Sequence, residues 1–313
     1  MNEDRVIAVI PSLGRNIDRL NHCINSVKKY SNFSNLKIIL VDNSPDGSLQ
    51  NIYNVDEVIG LGINLGFVGA VEIVRRKFEA EFIWTLQDDI SFSTNVLSNL
   101  MKEIKTSSQL AAVCPITLNK NLLSNPRSGK FINNDVTQWN LYPESGTEIS
   151  SLDTEVDFIY SSGSLWRMSA LEEINGFNLE LYPSYHVDVD TCYRLNKKKW
   201  KVKLAGNAVI EHEGQGSTPK LLSRVLAVTN RKILSSMEKK EILKYDETEL
   251  DIILSILKKS SFLFLDVAHQ GDSDILKLSN DLENHKPELH TVVNPNSWKI
   301  TKPLRQLRKK FKI

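Results

Sequence analysis

Two neighbouring carboxylates, Asp88 and Asp89, follow an apolar run and are the first candidates for chemistry. Adjacent carboxylates repel each other unless a cation or solvent offsets their charge. A hard divalent cation that also needs phosphate oxygens is commonly held by one or two carboxylates. The dipeptide therefore indicates a metal–phosphate site, and it is equally compatible with a solvated turn or the N-cap of a helix that begins after Ser91.

The stretch 186–194 contains a second group of carboxylates. If a helix begins near Asp188, this carboxylate lies in its first turn, where the helix dipole favours the ionised form. An ionised, positioned carboxylate suits a general base, and it also suits a plain helix cap. On the same helix, Asp190 and Arg194 are four residues apart and are predicted to form an ion pair.

His212 is the third candidate, because it follows the predicted strand 201–210 and precedes a glycine-rich stretch that runs to residue 218. A histidine at the end of a strand can bind a metal through its neutral imidazole. Structural histidines and ordinary glycine turns produce the same pattern, so both interpretations remain open at this point.

These residues must be positioned by the regular elements of the first half of the chain. Apolar runs at 6–10, 36–41, 58–59 and 82–86 predict strands, and helical spacing predicts helices at 16–30 and 66–79. Alternating strands and helices predict a mostly parallel sheet with helices on both faces. Ligands bind beyond the carboxyl ends of such strands, so the polar residues that follow them should converge in one cleft.

The second half is less regular. Residues 118–151 are polar and rich in Asn, Ser and Gly, which indicates a long functional loop or a small excursion from the fold. Patterned structure is expected again at 156–160, and a helix is predicted over 165–174, closed by Asn175 and Gly176. Residues 221–285 are predicted to be mostly helical.

Composition narrows the class of protein. The 313 residues carry a net charge of +1 and are 41% apolar, which excludes a protein that binds polyanions with its whole surface. No stretch has the roughly 18 apolar residues of a membrane span. The three cysteines lack metal or redox spacing and indicate a reducing compartment: Cys23, Cys114 and Cys192. We therefore expect a cytoplasmic protein that does not bind nucleic acid.

The tail 298–313 is basic, with interleaved apolar residues. This pattern is typical of a segment that lies on an anionic membrane surface, here the inner face of the cell membrane. A solvated terminus has the same composition, and the two alternatives are left open.

Seven short stretches together carry a family resemblance: 9–15, 41–47, 64–69, 86–90, 176–180, 187–194 and 212–217. In this order and spacing, residues 1–235 resemble the family 2 inverting glycosyltransferases of the GT-A fold, and most of all the bacterial rhamnosyl- and galactofuranosyltransferases. The resemblance implies an α/β domain with a mostly parallel central sheet flanked by helices. Residues 236–313 would then form a helical C-terminal extension that carries the basic tail.

The resemblance also implies residue roles. Asp188 would be the general base, and Asp89 and His212 would hold a divalent metal, Mn²⁺ or Mg²⁺. A set of residues would bind the nucleotide-sugar donor: Pro11, Ser12, Arg15, Asp42, Asn64, Gly66 and Asp88. A further set would face the glycan or lipid-linked glycan acceptor: Asp190, Trp139 and Glu180.

The chain departs from the family pattern at three places. Gln87 replaces the first carboxylate of the Asp-x-Asp motif. Val187 stands where an acidic residue often precedes the base. The usual Phe-Asp-Glu motif is changed to the stretch 177–180, in which Asn178 follows the phenylalanine. The expected function is transfer of rhamnose or galactofuranose, with inversion, in the synthesis of bacterial surface polysaccharide. The alternatives are another donor, such as UDP-glucose or UDP-GlcNAc, and a sugar-nucleotide-binding module without turnover.

Overall fold

The computed structural model of the protein describes residues 4–31, 33–44, 47–50, 52, 54–60, 64–118, 128–142, 154–213, 226–228, 230–231 and 233–234. The predicted extension 236–313, with its basic tail, lies outside the described residues. The same holds for parts of the stretches 41–47 and 212–217.

Eleven strands and five α-helices are assigned within the described part of the chain. The strands are β1 Val6–Ser12, β2 Leu36–Asp42, β3 Glu57–Gly60, β4 Phe82–Thr85, β5 Ile90–Ser91, β6 Leu110–Leu118, β7 Ser128–Ile132, β8 Asp135–Tyr142, β9 Thr154–Val156, β10 Leu165–Arg167 and β11 Lys201–His212. The helices are α1 Ile17–Ser31, α2 Gly66–Lys77, α3 Val96–Ile104, α4 Met168–Glu173 and α5 Val187–Lys197, with a 3₁₀ helix at Leu179–Leu181. Residues 226–228, 230–231 and 233–234 are also helical, and we call them the 226–234 segment.

Nine of the strands form one sheet in the order β3-β2-β1-β4-β10-β6-β11-β5, with β9 also paired to β11. Six of them, β1, β2, β3, β4, β6 and β11, point the same way, and the short strands β5, β9 and β10 run against them. The mostly parallel α/β fold expected from the sequence is therefore confirmed. Six carboxyl ends lie along one edge of the sheet.

The residues of β1 show why its run is apolar throughout. Val6, Ala8 and Ile10 belong to the core that includes residues of α1 and α3. Ile7 and Val9 alternate with them and belong to the other core, with residues of α2, α4 and α5. A strand buried on both faces needs an apolar side chain at every position, which is what the uninterrupted run encodes.

The prediction for 165–174 was partly wrong. Leu165–Arg167 is the strand β10, inserted antiparallel between β4 and β6, and only Met168–Glu173 is helical. A strand of three residues is too short to show a period of its own, so the sequence pattern merged it with the following helix. The closing turn at Asn175 and Gly176 is present, and both residues have positive φ.

The polar region 118–151 contains an excursion from the central sheet. Its described part is the hairpin of β7 and β8. The hairpin contacts the main body through aromatic side chains, since Phe131 stacks on Phe158 and meets Tyr193 of α5 edge to face. Among the described residues, no helix has both the length and the apolar character needed to cross a membrane.

Candidate functional site

The carboxyl edge of the sheet gathers the predicted site residues. Ser12 and Asp42 end β1 and β2, Asp88 and Asp89 follow β4, and His212 ends β11. Because these four strands are parallel, the five residues lie on the same edge. This common edge is what parallel strands require, and the convergence of these side chains in one cleft stays a prediction.

Asp88 is tied to the first strand and the first helix. Its Oδ2 accepts a 2.6 Å hydrogen bond from Ser12 Oγ, and its Oδ1 forms a 3.0 Å ion pair with Arg19 Nη2. Burial raises the pKa of Asp88, and the nearby charge of Asp89 adds to this rise, while the bonds from Ser12 and Arg19 oppose it. Asp88 therefore joins β4 to β1 and α1, and Ser12 is part of the same contact.

Arg19 was missed by the sequence reasoning. Its side chain is only 11% exposed, and it brings a cation to the edge where Asp88 and Asp89 lie. The available signal was its place in the first turn of the helix that follows β1. Since a cation four residues beyond Arg15 has no motif of its own, only the fold shows that it reaches the site.

Asp89 and His212 form a buried pair. They are 5% and 8% exposed, and His212 Nε2 lies 3.4 Å from Asp89 Oδ1. Their backbones are held together because His212 pairs with Ile90 and the amide of Glu213 donates to Asp89 O at 3.1 Å. The buried Oδ1 of Asp89 accepts no hydrogen bond from the described residues. An uncompensated buried carboxylate oxygen beside an imidazole fits a divalent cation.

Gln87 places an amide oxygen beside this pair. Its Oε1 lies 3.2 Å from His212 Nε2 and accepts a 3.4 Å hydrogen bond from the hydroxyl of Tyr160. In the described ranges, no group of three or more His, Cys, Asp or Glu side chains could hold a metal. The side chains that fit a cation here are thus one carboxylate and one imidazole, with the amide oxygen of Gln87 adjacent.

Asp188 lies in the first turn of α5, as predicted, and is partly buried. Its Oδ2 accepts a 3.4 Å hydrogen bond from the amide of Ser161, and its Oδ1 accepts one from the amide of Val189. The residue before Ser161 is Tyr160, which contacts Gln87 and whose ring meets that of His212 edge to face. Two adjacent residues of one loop therefore contact both Asp188 and the Asp89–His212 pair.

The backbone before α5 explains why residue 66 is glycine. Gly66 has φ +63°, and a Cβ there would lie 2.5 Å from the carbonyl oxygen of Pro183. The next amide, of Phe67, donates to the same oxygen at 2.8 Å. The absence of a side chain at residue 66 therefore allows close contact with Pro183. The expected contact of Gly66 with the sugar nucleotide stays a prediction.

Asn64 and Asp42 also have structural partners. Asn64 Oδ1 accepts a 2.8 Å bond from the amide of Gly66, so this side chain orders the start of α2. Asp42 is 1% exposed and accepts bonds from the amides of Ser44 and Leu49. Both residues hold loops at the sheet edge, and their contact with a donor stays a prediction.

Pro11 and Arg15 flank Ser12 at the end of the first strand. Pro11 is half-buried within β1, and Arg15 is exposed in the loop before α1. Their predicted part in the nucleotide pocket is compatible with these places and stays a prediction.

The three residues predicted to face the acceptor make contacts within the protein. Asp190 is 2% exposed and forms the predicted ion pair with Arg194, at 2.7 Å. Trp139 packs edge to face against His186. The Glu180 amide donates to Asn178, which starts the 3₁₀ helix. The acceptor role of Asp190, Trp139 and Glu180 stays a prediction.

Comparisons with known proteins agree with this architecture. The sequence profile described as "Glycosyl transferase family 2" matches residues 7–175, slightly more than half of the chain. A comparison with curated protein sequences finds no match.

Three solved structures illustrate the structural likeness. GalNAc-T7 with UDP, GalNAc and Mn²⁺ has a TM-score of 0.56 at 12% identity, over 83% of this chain and 55% of that one. The mannosyltransferase PcManGT from Pyrobaculum calidifontis, with GDP-Man and Mn²⁺, has 0.53 at 12% identity, over 99% and 89%. S. aureus TarS 1–349 with UDP-GlcNAc has 0.52 at 13% identity, over 82% and 71%.

The present chain spans about half the length of the GalNAc-T7 chain. At these identities the likeness concerns the fold, whereas the profile match covers most of the central sheet, including β1, β2 and β4. On that match, the chain belongs to glycosyl transferase family 2, a family of sugar-transferring enzymes.

Proposed function

We propose that the protein is an inverting, divalent-metal-dependent glycosyltransferase that moves a sugar from a nucleotide-diphosphate donor to a glycan or lipid-linked glycan. The observation that carries this proposal is the placement of the buried Asp89–His212 pair and the first-turn carboxylate Asp188 around the adjacent residues Tyr160 and Ser161. This placement supports the proposal that a cation and a base act close to each other.

Asp89 and His212 are proposed to hold the cation, Mn²⁺ or Mg²⁺. The fit rests on the buried Oδ1 of Asp89, which lacks a hydrogen bond among the described residues, and on the imidazole 3.4 Å from it. A bound divalent cation offsets the negative charge that develops on a leaving nucleoside diphosphate. Gln87 adds a neutral oxygen where the family motif has a carboxylate, so the site carries one negative charge fewer.

Asp188 is proposed to remove the proton of the acceptor hydroxyl as that oxygen attacks the anomeric carbon. The amide of Ser161 and the first turn of α5 orient the carboxylate and favour its ionised form. A single base with attack opposite the leaving group gives one displacement, and therefore inversion at the anomeric carbon. The amide of Val189 holds the second oxygen, which limits rotation of the side chain.

The donor sugar is proposed to be rhamnose or galactofuranose, and the product a bacterial surface polysaccharide. This choice rests on the sequence resemblance alone. The structural neighbours include complexes with GDP-Man and with UDP-GlcNAc, so the fold accommodates different bases and sugars. Another donor on the same scaffold is thus the direct alternative.

A second candidate is a sugar-nucleotide-binding module without turnover. Gln87 favours it, because loss of a carboxylate weakens the attraction for a divalent cation. The partly buried Asp188, held by two amides, favours the enzyme, since a pure binding module has no need of a base beside the cation site.

The deciding experiment is a thermal-shift screen of nucleotide sugars with and without manganese, followed by a test of metal-dependent release of nucleoside diphosphate. A ligand that binds the folded state raises its melting temperature by mass action. Stabilisation by one donor that requires manganese, followed by turnover, supports the enzyme. Stabilisation without turnover supports the binding module, and no stabilisation by any donor contradicts both.

A further inference from the structure

The loop that leads into α5 holds a strained backbone. Tyr185 and His186 have φ of 72° and 61°, in the left-handed region that residues with a side chain rarely adopt. Each such residue costs of the order of 1–3 kcal/mol and persists only when its surroundings fix it. Asp188 follows two residues later, so the groups that fix this loop also fix the carboxylate.

Asn230 of the 226–234 segment holds this loop through its side-chain amide. Its side chain is 1% exposed, and its Nδ2 donates to three carbonyl oxygens of the loop, at 2.7–3.0 Å: Leu181, Ser184 and Tyr185. An amide group carries two hydrogens, so at least one of them is shared between two carbonyls. One side chain thus binds three carbonyls of the segment that leads into α5.

Neighbouring contacts complete the arrangement. His186 Nε2 donates to the carbonyl of Ala227 at 3.0 Å, so the 226–234 segment holds the loop at a second point. The carbonyl of Pro183 accepts from the start of α2. The carbonyl of His186 accepts the first hydrogen bond of α5, from Asp190.

We infer that Asn230 is a positioning residue for Asp188: by binding the carbonyls of the loop 181–185 it sets the place and direction of the first turn of α5. The inference rests on the proposed role of Asp188 as base. Asn230 does not act on substrate itself. Its effect should therefore be seen in turnover and in loop order, and not in donor affinity.

Asn230→Ala and Asn230→Asp test this role in the full-length protein. Asn230→Ala removes the side-chain amide that donates the hydrogen bonds. Asn230→Asp replaces this amide by a carboxylate, which repels the three carbonyl oxygens. Asn196→Ala is the matched control, because Asn196 lies on α5 itself and donates its amide to a single distant carbonyl, of Asp157. The control variant loses a side-chain hydrogen bond of α5, the helix that carries Asp188, and leaves the contacts of the loop 181–185 unchanged.

Hydrogen exchange measured by mass spectrometry reports on the loop without any substrate. Peptides that cover 181–190 should exchange faster in both Asn230 variants and as in the wild type in Asn196→Ala. Unchanged exchange in the Asn230 variants overturns the inference. This result does not depend on whether the protein is an enzyme.

Steady-state kinetics report on the placement of the Asp188 carboxylate. The substrate is the nucleotide sugar that the wild type turns over fastest in a panel. We expect kcat to fall about 10- to 100-fold in Asn230→Ala, with KM for the donor changed by less than about threefold, because small misplacements of a reacting group cost this much. Faster exchange with an unchanged kcat overturns the positioning role.

A double-mutant cycle separates positioning from general damage. If Asn230 acts through Asp188, Asn230→Ala should lower turnover by less than about twofold when Asp188→Asn is already present. An equal loss in both backgrounds contradicts the inference. If the wild type turns over no donor while the loop still loosens in the variants, the proposed function fails and the positioning of Asp188 as a base fails with it.

Discussion

Three aspartates of the candidate site, Asp88, Asp89 and Asp188, have three different surroundings, and we propose a different role for each. Asp88 is held by Ser12 and Arg19, which oppose the rise in its pKa that burial causes. Asp89 is buried beside His212 with one oxygen that accepts no hydrogen bond among the described residues. Asp188 is partly buried in a first helical turn. The same side chain can therefore serve as anchor, cation ligand or base.

Replacing Asp188 by asparagine tests the base. Asp188→Asn keeps the size of the side chain, and its one amide oxygen can still accept a hydrogen bond from the amide of Ser161 or from that of Val189. It cannot take up a proton at neutral pH. Turnover should fall roughly 10²–10⁴-fold, the usual contribution of a positioned base. The release of nucleoside diphosphate measures turnover, and the melting temperature and donor affinity should hardly change.

Near-normal turnover in Asp188→Asn would exclude this residue as base. A variant that loses stability together with activity would support the helix-cap interpretation of Asp188. Asp190 is a poor second choice, because Arg194 already holds its carboxylate.

Replacing Asp89 by alanine tests the cation site. Asp89→Ala should abolish turnover and remove the gain in nucleoside diphosphate affinity that manganese gives, because the diphosphate then lacks its counter-ion. Titration calorimetry with and without manganese measures this gain. Glu213→Ala is the control, since it removes an exposed carboxylate next to His212 without touching the pair.

A manganese effect that survives in Asp89→Ala, or that disappears equally in Glu213→Ala, would contradict the assignment. The second outcome would mean that the total negative charge of the edge matters, and not a specific ligand.

The sequence predicted some residue contacts and could not predict others. The Asp190–Arg194 pair follows from spacing on a helix, since residues four apart face each other. The partners of Asp42 and Gly66 were not foreseen, because they depend on how loops meet in space. The contact of Gly66 with Pro183 joins residues more than a hundred positions apart, and no local pattern records it.

At the scale of elements, the start of α2, the loop before α5 and the 226–234 segment form one contact. Pro183 accepts hydrogen bonds from the amides of Phe67 and Val68, which are among the four unsatisfied amides at the start of a helix. Asn230 binds other carbonyls of the same loop. The position of α5 therefore depends on two elements far from it in sequence.

Adding a methyl group at Gly66 tests this contact. In Gly66→Ala the new Cβ would lie 2.5 Å from Pro183 O, which is an overlap. Alanine would also be held at a positive φ of 63°, which residues with a side chain rarely adopt. Gly47→Ala is the matched control, because Gly47 has φ 67° and its nearest neighbour would be 3.8 Å away. We expect the control to lose about 1–2 kcal/mol of unfolding free energy, the cost of the left-handed backbone.

Gly66→Ala should lose clearly more than Gly47→Ala in urea unfolding, since overlap with backbone atoms adds to the conformational cost. Equal losses would show that the conformation alone requires glycine at residue 66 and that the loop moves away without penalty.

His186, in the loop before α5, is expected to make the stability of the folded protein depend on pH. Burial lowers the pKa of His186 below its ordinary value, assisted by the cation of Arg231 and opposed by the hydrogen bond to Ala227. The unfolded chain, with a histidine pKa of about 6.5, then binds more protons than the folded one at mildly acidic pH. Stability contributed by neutral His186 is present above about pH 6.5 and is lost as the pH falls below it.

His186→Gln should remove this part of the pH dependence, because the amide of glutamine can donate to Ala227 and does not titrate. Melting temperatures measured between about pH 7.5 and pH 5.5 should fall less in the variant than in the wild type. Parallel curves for the two proteins would show that His186 does not contribute.

Elements with a clear period were predicted well. The helices at 17–31 and 66–77 and the strands β1, β2 and β4 agree with their apolar patterns to within two residues. Strand β10 was missed because three residues are too few to show alternation. The hairpin of β7 and β8 was left open between a loop and an excursion, because its polar residues give no apolar period.

At the scale of the whole molecule, the described residues form a mostly parallel sheet with a core on each face, as family membership and the apolar patterns both required. The tail 298–313 lies outside them. It holds seven basic residues and no acidic one. We propose that this segment binds an anionic membrane surface, to which each basic residue near the surface contributes about 1 kcal/mol. On the proposed function, this binding would hold the protein beside a lipid-linked acceptor.

Deleting 298–313 should reduce binding to vesicles that contain an anionic lipid, and should leave turnover on a short water-soluble acceptor nearly unchanged. Two full-length variants separate charge from apolar contact: glutamine at Arg305, Arg308, Lys309, Lys310 and Lys312, or serine at Leu304, Leu307 and Phe311. If both contribute, each variant binds more weakly than the wild type. Salt should weaken binding of the wild type and the serine variant more than that of the glutamine variant, which keeps only Lys299 and Lys302 as basic residues. Vesicle binding that survives the deletion, or that is insensitive to salt in the wild type, would contradict a membrane role for the tail.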